Sequence, residues 1–220
     1  MASRRNFLKK ALTGLFGAGS LLSPFLSLVR HVAAGARKII VPQGTKRETL
    51  VDKNPRDLDT THLEITGLDD FGVMGLEDHE VNLETWSLRV DGRVETALHL
   101  SYPALLEMPA MERAVLLICP GVFANHGLWK GVSVKALLDR AGMAKEVNYI
   151  TFRGPEGRYE KVLRVPIGDV LSDRVFLAHH VNGTPLPMKH GFPLRVVAEG
   201  YSGDDWVKYV DRVTADVIPG

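Results

Sequence analysis

Only one cysteine, Cys119, occurs in the 220 residues, and it limits what can hold this chain together. No internal disulfide can form. Cys-x-x-Cys-His haem attachment, thiolate-bound iron–sulfur clusters and multi-cysteine zinc centres are likewise excluded. Stability has to come from apolar burial, and the chain is long enough to bury a sizeable core. The cysteine closes the apolar run "RAVLLI", residues 113–118, and stands directly before Pro120-Gly121. Such a run reads as a buried strand, and a buried lone thiol is by default a small hydrophobe.

The N-terminus supplies the first context. "SRRNFLKK", residues 3–10, precedes the apolar, Gly/Ala-rich stretch "ALTGLFGAGSLLSPFLSL". Paired Arg4 and Arg5 with Phe7-Leu8 and a following lysine form a twin-arginine export signal, so a periplasmic protein is expected. "AAGA" offers cleavage after Ala36; the apolar run is also nearly long enough to remain as an inner-membrane anchor. The division expected is 1–36 signal or anchor, 37–60 an extended arm broken by Pro42, Gly44 and Pro55, and 61–220 one folded domain. Residues 1–36 hold Arg4, Arg5, Lys9, Lys10 and Arg30 and no carboxylate, so the formal charge of +1 hides a mildly acidic mature domain. That balance argues against nucleic acid as a partner.

Strands dominate the rest. "TWSLRVDGRVETALHL" alternates around Asp91-Gly92 and predicts a hairpin with strands near 86–90 and 94–100. "YPALLEM" suits a short helix; "SVKALLDRAG" predicts a helix with Ser133 as N-cap and Gly142 as stop. The strand "VNYITF", the turn "GPEG" and the returning "YEKVLRVP" follow, then a short helix near "IGDVLS" and a strand turning at Asn182-Gly183. "FPLRVVAEG" and "VKYVDRVTADV" close the domain as strands. The fold class is α+β with a mixed sheet. His179 and His180, adjacent on a strand, are expected on opposite faces and so not on one ion.

Five stretches stand in the order seen in the sulfite oxidase family of molybdenum enzymes: "WSLRVDG", the strand ending in Cys119, "WKGVSVKALLDRAG", "VNGTPLP" leading into "HGFPLRVV", and "GYSGDDWVKYV". The chain resembles that family over roughly residues 63–213, and is most similar to its exported bacterial members, the catalytic subunit of periplasmic methionine sulfoxide reductase among them. The resemblance implies a β-rich molybdopterin-binding domain. It implies Cys119 as protein ligand of molybdenum beside the two dithiolene sulfurs of a single molybdopterin, a soft donor suited to that metal. It places His190, Arg195, Trp206, Val207 and Lys208 at the pterin, with Arg195 and Lys208 as phosphate partners. Asp69, Gly72 and Val73 in "ITGLDDFGVMG", and Gly154, fall at further contact positions, although relatives more often carry Asn where this chain has Asp69.

The implied chemistry is two-electron redox with oxygen-atom transfer on a small molecule, the cofactor carrying the hard step. Sulfite oxidases carry an "R-N-H" segment where this chain reads "DDFGVMG"; an acidic pair repels sulfite, which favours a neutral S-oxide or another small molecule, with a sulfite-oxidising enzyme as the alternative. Asn125, His126 and Tyr201 are the candidate substrate contacts, by proximity to Cys119 and to the last motif. With no haem of its own, such an enzyme needs an electron partner, a membrane cytochrome or periplasmic carrier, and is expected to be a monomer. Two readings of other classes remain: a cysteine hydrolase pairing Cys119 with His126, His179, His180 or His190, and a cofactor-free exported binding module.

Overall fold

Alternating burial along the strands builds two five-stranded sheets in the computed structural model, which describes residues 38–157 and 161–218. The chain divides into Met1–Arg37 and Lys38–Gly220, and the expected twin-arginine signal and cleavage site lie outside the described residues. No helix among the described residues is long and apolar enough to cross a membrane.

The first sheet contains β5 (Ala110–Cys119), β6 (Phe123–Ser133), β9 (Val175–Val181), β10 (Thr184–Pro185) and β11 (Arg195–Ala198). Its order is β10-β9-β6-β5 with β11 also paired to β9, all antiparallel. The second has the order β4-β3-β12-β7-β8, from β3 (Ser87–Gly92), β4 (Leu98–Ser101), β7 (Tyr149–Arg153), β8 (Val162–Pro166) and β12 (Arg212–Asp216). It is mixed, because β12 runs parallel to β3. With three short α-helices among the described residues, this is the β-rich α+β fold expected.

The helices follow their caps. In α1 (Tyr102–Leu106) the Ser101 hydroxyl accepts from Ala104 N–H at 3.4 Å. In α2 (Val134–Ala141) Ser133 accepts from Ala136 N–H at 3.3 Å, Val134, Leu137, Leu138 and Ala141 are buried at helical spacing, and Gly142 ends the helix at φ 71°. α3 spans Ile167–Leu171.

Three expectations need correction. The β3–β4 hairpin does not turn at Asp91-Gly92: Val90 pairs with Leu98, so the connection runs through residues 93–97. Gly92 stays in the strand beside Ala215, where a Cβ would stand 2.3 Å from the Ala215 carbonyl oxygen. The 37–60 arm is folded where described: β1 (Ile39–Ile40) pairs with β2 (Leu58–Asp59), and Val41, Leu50 and Leu58 pack with Leu63 on Leu116, Ile118 and Ala124. The closing strand is shorter than its pattern. Tyr209 takes φ +55°, and Val207 and Val210 bond to the β11 side, Val196 and Leu194, before β12 begins in the other sheet.

Candidate functional site

Period-2 alternation sorts the side chains of the β5–β6 hairpin. Leu116 opposite His126 and Ile118 opposite Ala124 lie toward the residues 41–63. Leu117 opposite Asn125 and Cys119 opposite Phe123 line a cavity of about 260 Å³ on the other face. The rest of the wall comes from 72–76, Pro155 with Lys161, His190 with Arg195, and residues of 203–209.

Of the residues singled out in the sequence, Gly72, Val73, Cys119, Asn125, His190, Arg195, Trp206 and Lys208 come together around this cavity. Five of the expected cofactor and substrate contacts do not line it. Asp69 is exposed, and its neighbour Asp70 faces Arg47 at 3.8 Å in a separate groove. The acidic pair is therefore not the charge a substrate would meet. His126 points to the opposite face of β6, its Nδ1 3.2 Å from the Glu64 carbonyl oxygen. Burial first, and then donation of its hydroxyl to Asp169, push the Tyr201 pKa up to about 12, and Arg56 lies over its ring at 4.9 Å. Val207 is fully buried, and Gly154 sits behind the wall, where a Cβ would stand 2.8 Å from the Lys208 carbonyl oxygen.

The cavity groups are shaped by burial. Cys119 is only 4% exposed; burial raises its thiol pKa, Asp204 adds to the rise, and Lys161 opposes it. Arg195 lies against the Trp129 and Trp206 rings at 5.1 and 5.5 Å, and its Nη1 donates to the His190 carbonyl at 3.0 Å. Burial lowers its pKa to about 10. His190 is held to about 4 by burial first and Arg195 second, so its ring is neutral at neutral pH. Lys208 is lowered to about 8, again by burial first, and donates to the Leu76 and Lys189 carbonyls at 2.9 and 2.7 Å.

Three buried atoms of side chains that line this wall have no protein partner: Arg195 Nε, His190 Nε2 and Trp206 Nε1. An unpaired buried polar group costs about 1–3 kcal/mol, so such a cluster calls for a bound partner. Two of the three atoms are obligate donors, and one carries positive charge. The wall therefore fits an anionic group rich in acceptors, with a soft sulfur donor at Cys119, which is the chemistry of a molybdopterin phosphate and its metal.

Sequence reasoning missed Met74, Phe123, Lys161, Asp204 and Tyr209, all on the wall. Asp204 and Tyr209 lie inside the last quoted motif and Met74 inside "DFGVMG", so the motifs themselves were the available signal. The histidine pair also departs from expectation. His180 pairs with Lys130 and Ala178 with Gly131, leaving His179 unpaired in a β-bulge. The bulge re-aims the side chain, and the two Nδ1 atoms meet at 2.5 Å. Neither ring lines the cavity, and no group of three or more metal-ligating side chains occurs among the described residues.

Comparison with known proteins shows the family. The oxidoreductase molybdopterin-binding domain matches residues 75–217. The oxidoreductase YuiH of Bacillus subtilis is 31% identical over 117 residues, covering 53% of this chain and 58% of the relative. Inducible nitrate reductase (NADH) 1 of Glycine max is 26% identical over 164 residues, covering 61% of this chain and 18% of that enzyme. Among solved structures, the sulfane dehydrogenase SoxCD of Paracoccus pantotrophus superposes with a TM-score of 0.59 at 25% identity, over 62% of this chain and 39% of its own. The chain thus spans little more than half of one such relative and less than a fifth of another. With the match running through both sheets and every wall of the cavity from Gly75 onward, the chain belongs to the oxidoreductase molybdopterin-binding domain family, the molybdenum-dependent group of sulfite oxidases and nitrate reductases.

Proposed function

We propose that this protein is an exported molybdenum enzyme acting on a small, uncharged substrate, an S-oxide being the favoured chemistry. The observation that carries the reading is the grouping of Cys119 with the unpartnered Arg195 Nε, His190 Nε2 and Trp206 Nε1 on one cavity wall. Cys119 would hold the metal as a thiolate, which a bound cation keeps deprotonated although burial raises the free thiol's pKa. Arg195 and Trp206 would donate to the single pterin and its phosphate, with the remaining Lys208 N–H as a point charge. Neutral His190 offers Nε2 as donor or acceptor. When bound, the cofactor supplies two-electron redox chemistry with oxygen-atom transfer. The protein's part is to fix the cofactor, exclude water and choose the substrate.

Relatives named for nitrate reduction and for sulfane dehydrogenation suggest that the cavity mouth, not the cofactor, sets the substrate. Here the exposed charges of the lining are Asp204 and Lys161, of which Asp204 acts more strongly on Cys119, and this disfavours an anion such as sulfite. Electrons would pass to or from a membrane cytochrome or periplasmic carrier. The test is elemental and pterin analysis of the full-length protein purified after native export. The expected content is about one molybdenum and one molybdopterin per chain; a metal-free preparation that hydrolyses esters or thioesters would overturn the reading in favour of a cysteine hydrolase. Export is tested separately: Arg4→Lys with Arg5→Lys is expected to leave the protein in the cytoplasm, because the machinery reads the pair and not only its charge.

A further inference from the structure

Residues 72–76 form a strap fixed at both ends. At one end the Asn125 amide accepts from Gly72 N–H at 3.0 Å and donates to the Gly72 carbonyl at 3.1 Å. The approach is close enough that a Cβ on Gly72 would stand 2.3 Å from the Phe123 ring. At the other end the Leu76 carbonyl accepts from Lys208 Nζ at 2.9 Å and from the Tyr209 hydroxyl at 3.2 Å. Tyr209 is itself held at φ +55°, a conformation costly for a bulky side chain and kept only where its surroundings demand it. Between these anchors Met74, 48% exposed, sets its Sδ 3.5 Å from Cys119 Sγ.

The cations around this thioether each hold a protein contact, Arg195 with its Nε left unpartnered. Arg195 is 4% exposed against two indoles. Lys208 donates to two carbonyls, and Lys161 donates to the backbone carbonyl of Asp204. The Asp204 carboxylate stays exposed and accepts from the Ser202 hydroxyl. An anion moving toward Cys119 would therefore lose water against a methionine that offers no donor, beside a carboxylate of like charge. A neutral molecule with an apolar body loses less, and the flexible thioether can repack around it.

We propose that Met74 is a specificity-determining residue, an apolar gate over Cys119 that admits small neutral molecules and turns oxyanions away. The proposal rests on the reading of Cys119 as the reaction centre, and its test does not depend on the cofactor. In the full-length chain produced without molybdenum cofactor, Cys119 is the only thiol, so its alkylation can be followed by mass spectrometry. Neutral iodoacetamide and anionic iodoacetate are compared at one pH, each rate divided by that of an unstructured cysteine peptide.

The unmodified chain is expected to disfavour iodoacetate by about tenfold beyond the peptide, the factor expected of one unfavourable charge contact. Met74→Leu is expected to keep that ratio, because bulk and apolarity suffice. Met74→Ala should speed both reagents, and Met74→Arg should abolish or reverse the discrimination. In the loaded enzyme Met74→Arg should keep its molybdenum and shift kcat/KM toward sulfite relative to a neutral S-oxide. Equal relative rates in the unmodified chain, rates unmoved by Met74→Ala, discrimination surviving Met74→Arg, or no alkylation of any variant would each overturn the gate. Molybdenum analysis decides the assignment of Cys119 independently of these rates.

Discussion

In the β4-β3-β12-β7-β8 sheet, strands β3, β8 and β12 bury alternate residues and leave the others to solvent or partial exposure. In the β10-β9-β6-β5 sheet, β11 is buried throughout, β9 almost throughout, and β5 over its C-terminal half. The strands of that sheet also bury Asn125, His126, His179 and Arg195. The second sheet buries Thr151, which is satisfied by Asp216 at 2.5 Å. Side-chain atoms of His126, His179 and Arg195 are left without a partner. One sheet mostly obeys its pattern; the other breaks it at several positions, of which Asn125 and Arg195 line the cavity, and local conflict of that kind marks functional sites.

The contrast predicts separable losses. Phe152→Ala, in the β4-β3-β12-β7-β8 sheet and fully buried, should cost about 3–5 kcal/mol of stability, the usual effect of a large core truncation. Denaturant unfolding gives the value, and molybdenum per folded chain should not change. If the folded fraction is stripped of molybdenum, the two sheets are not separable in the way described.

Arg195→Ala should act in the opposite sense. A charge-assisted contact to the pterin phosphate is worth about 1.5–3 kcal/mol, or roughly ten- to hundredfold in affinity, so the variant should be isolated with sub-stoichiometric molybdenum. Activity per bound metal should stay near that of the unmodified protein. In the cofactor-free chain Arg195→Met should be neutral or stabilising, because it removes a buried charge lacking an acceptor at Nε. Full molybdenum with lost turnover would instead move Arg195 to substrate recognition and revive an anionic substrate.

Acid should reveal the histidines. His190 and His179 are held at about 4 by burial, against 6.5 in the unfolded chain. Below pH 6.5 the unfolded state takes up protons that the folded state refuses. The associated stability is present above 6.5 and is lost as the pH falls from there through 4, by up to about 1.4 kcal/mol per pH unit for each ring. His190→Gln should reduce that slope in the cofactor-free protein by about one proton; an unchanged slope in urea melts across this range would count against its buried neutral state. The smallest effect belongs to Asp70→Asn. Its exposed contact with Arg47 at 3.8 Å is worth about 0–1 kcal/mol, and molybdenum content should be unaltered.

What could be read in the sequence follows the same division. The Ser133 cap, the Gly142 stop and the Asn182-Gly183 turn are local features, and each stands where its residues direct. The strand leading to Cys119 was legible because its last five residues form a continuous buried run. β6 was not, since Asn125-His126 and the glycines at 127 and 131 interrupt any apolar pattern although the strand pairs with β5 from Phe123 to Val132. The bulge at His179 exists only relative to β6. Burial of residues 41–63 depends on the second face of β5. Met74, Cys119 and Asp204 are far apart in sequence and become neighbours of one cavity only in the fold. The family motifs located the cavity; which residues of each motif face it was set by strand register.

The central claim is that Cys119 is the protein's bond to the metal and not merely a buried hydrophobe at the end of β5. Cys119→Ser is nearly isosteric, so the most direct measurement is molybdenum content and redox turnover of the full-length serine variant beside the unmodified protein, both purified after export, with near-ultraviolet circular dichroism as the check on packing. The account predicts an unchanged spectrum from the folded chain, loss of redox activity, and about one molybdenum per chain in the unmodified protein alone. Full activity with retained molybdenum in the serine variant would contradict it.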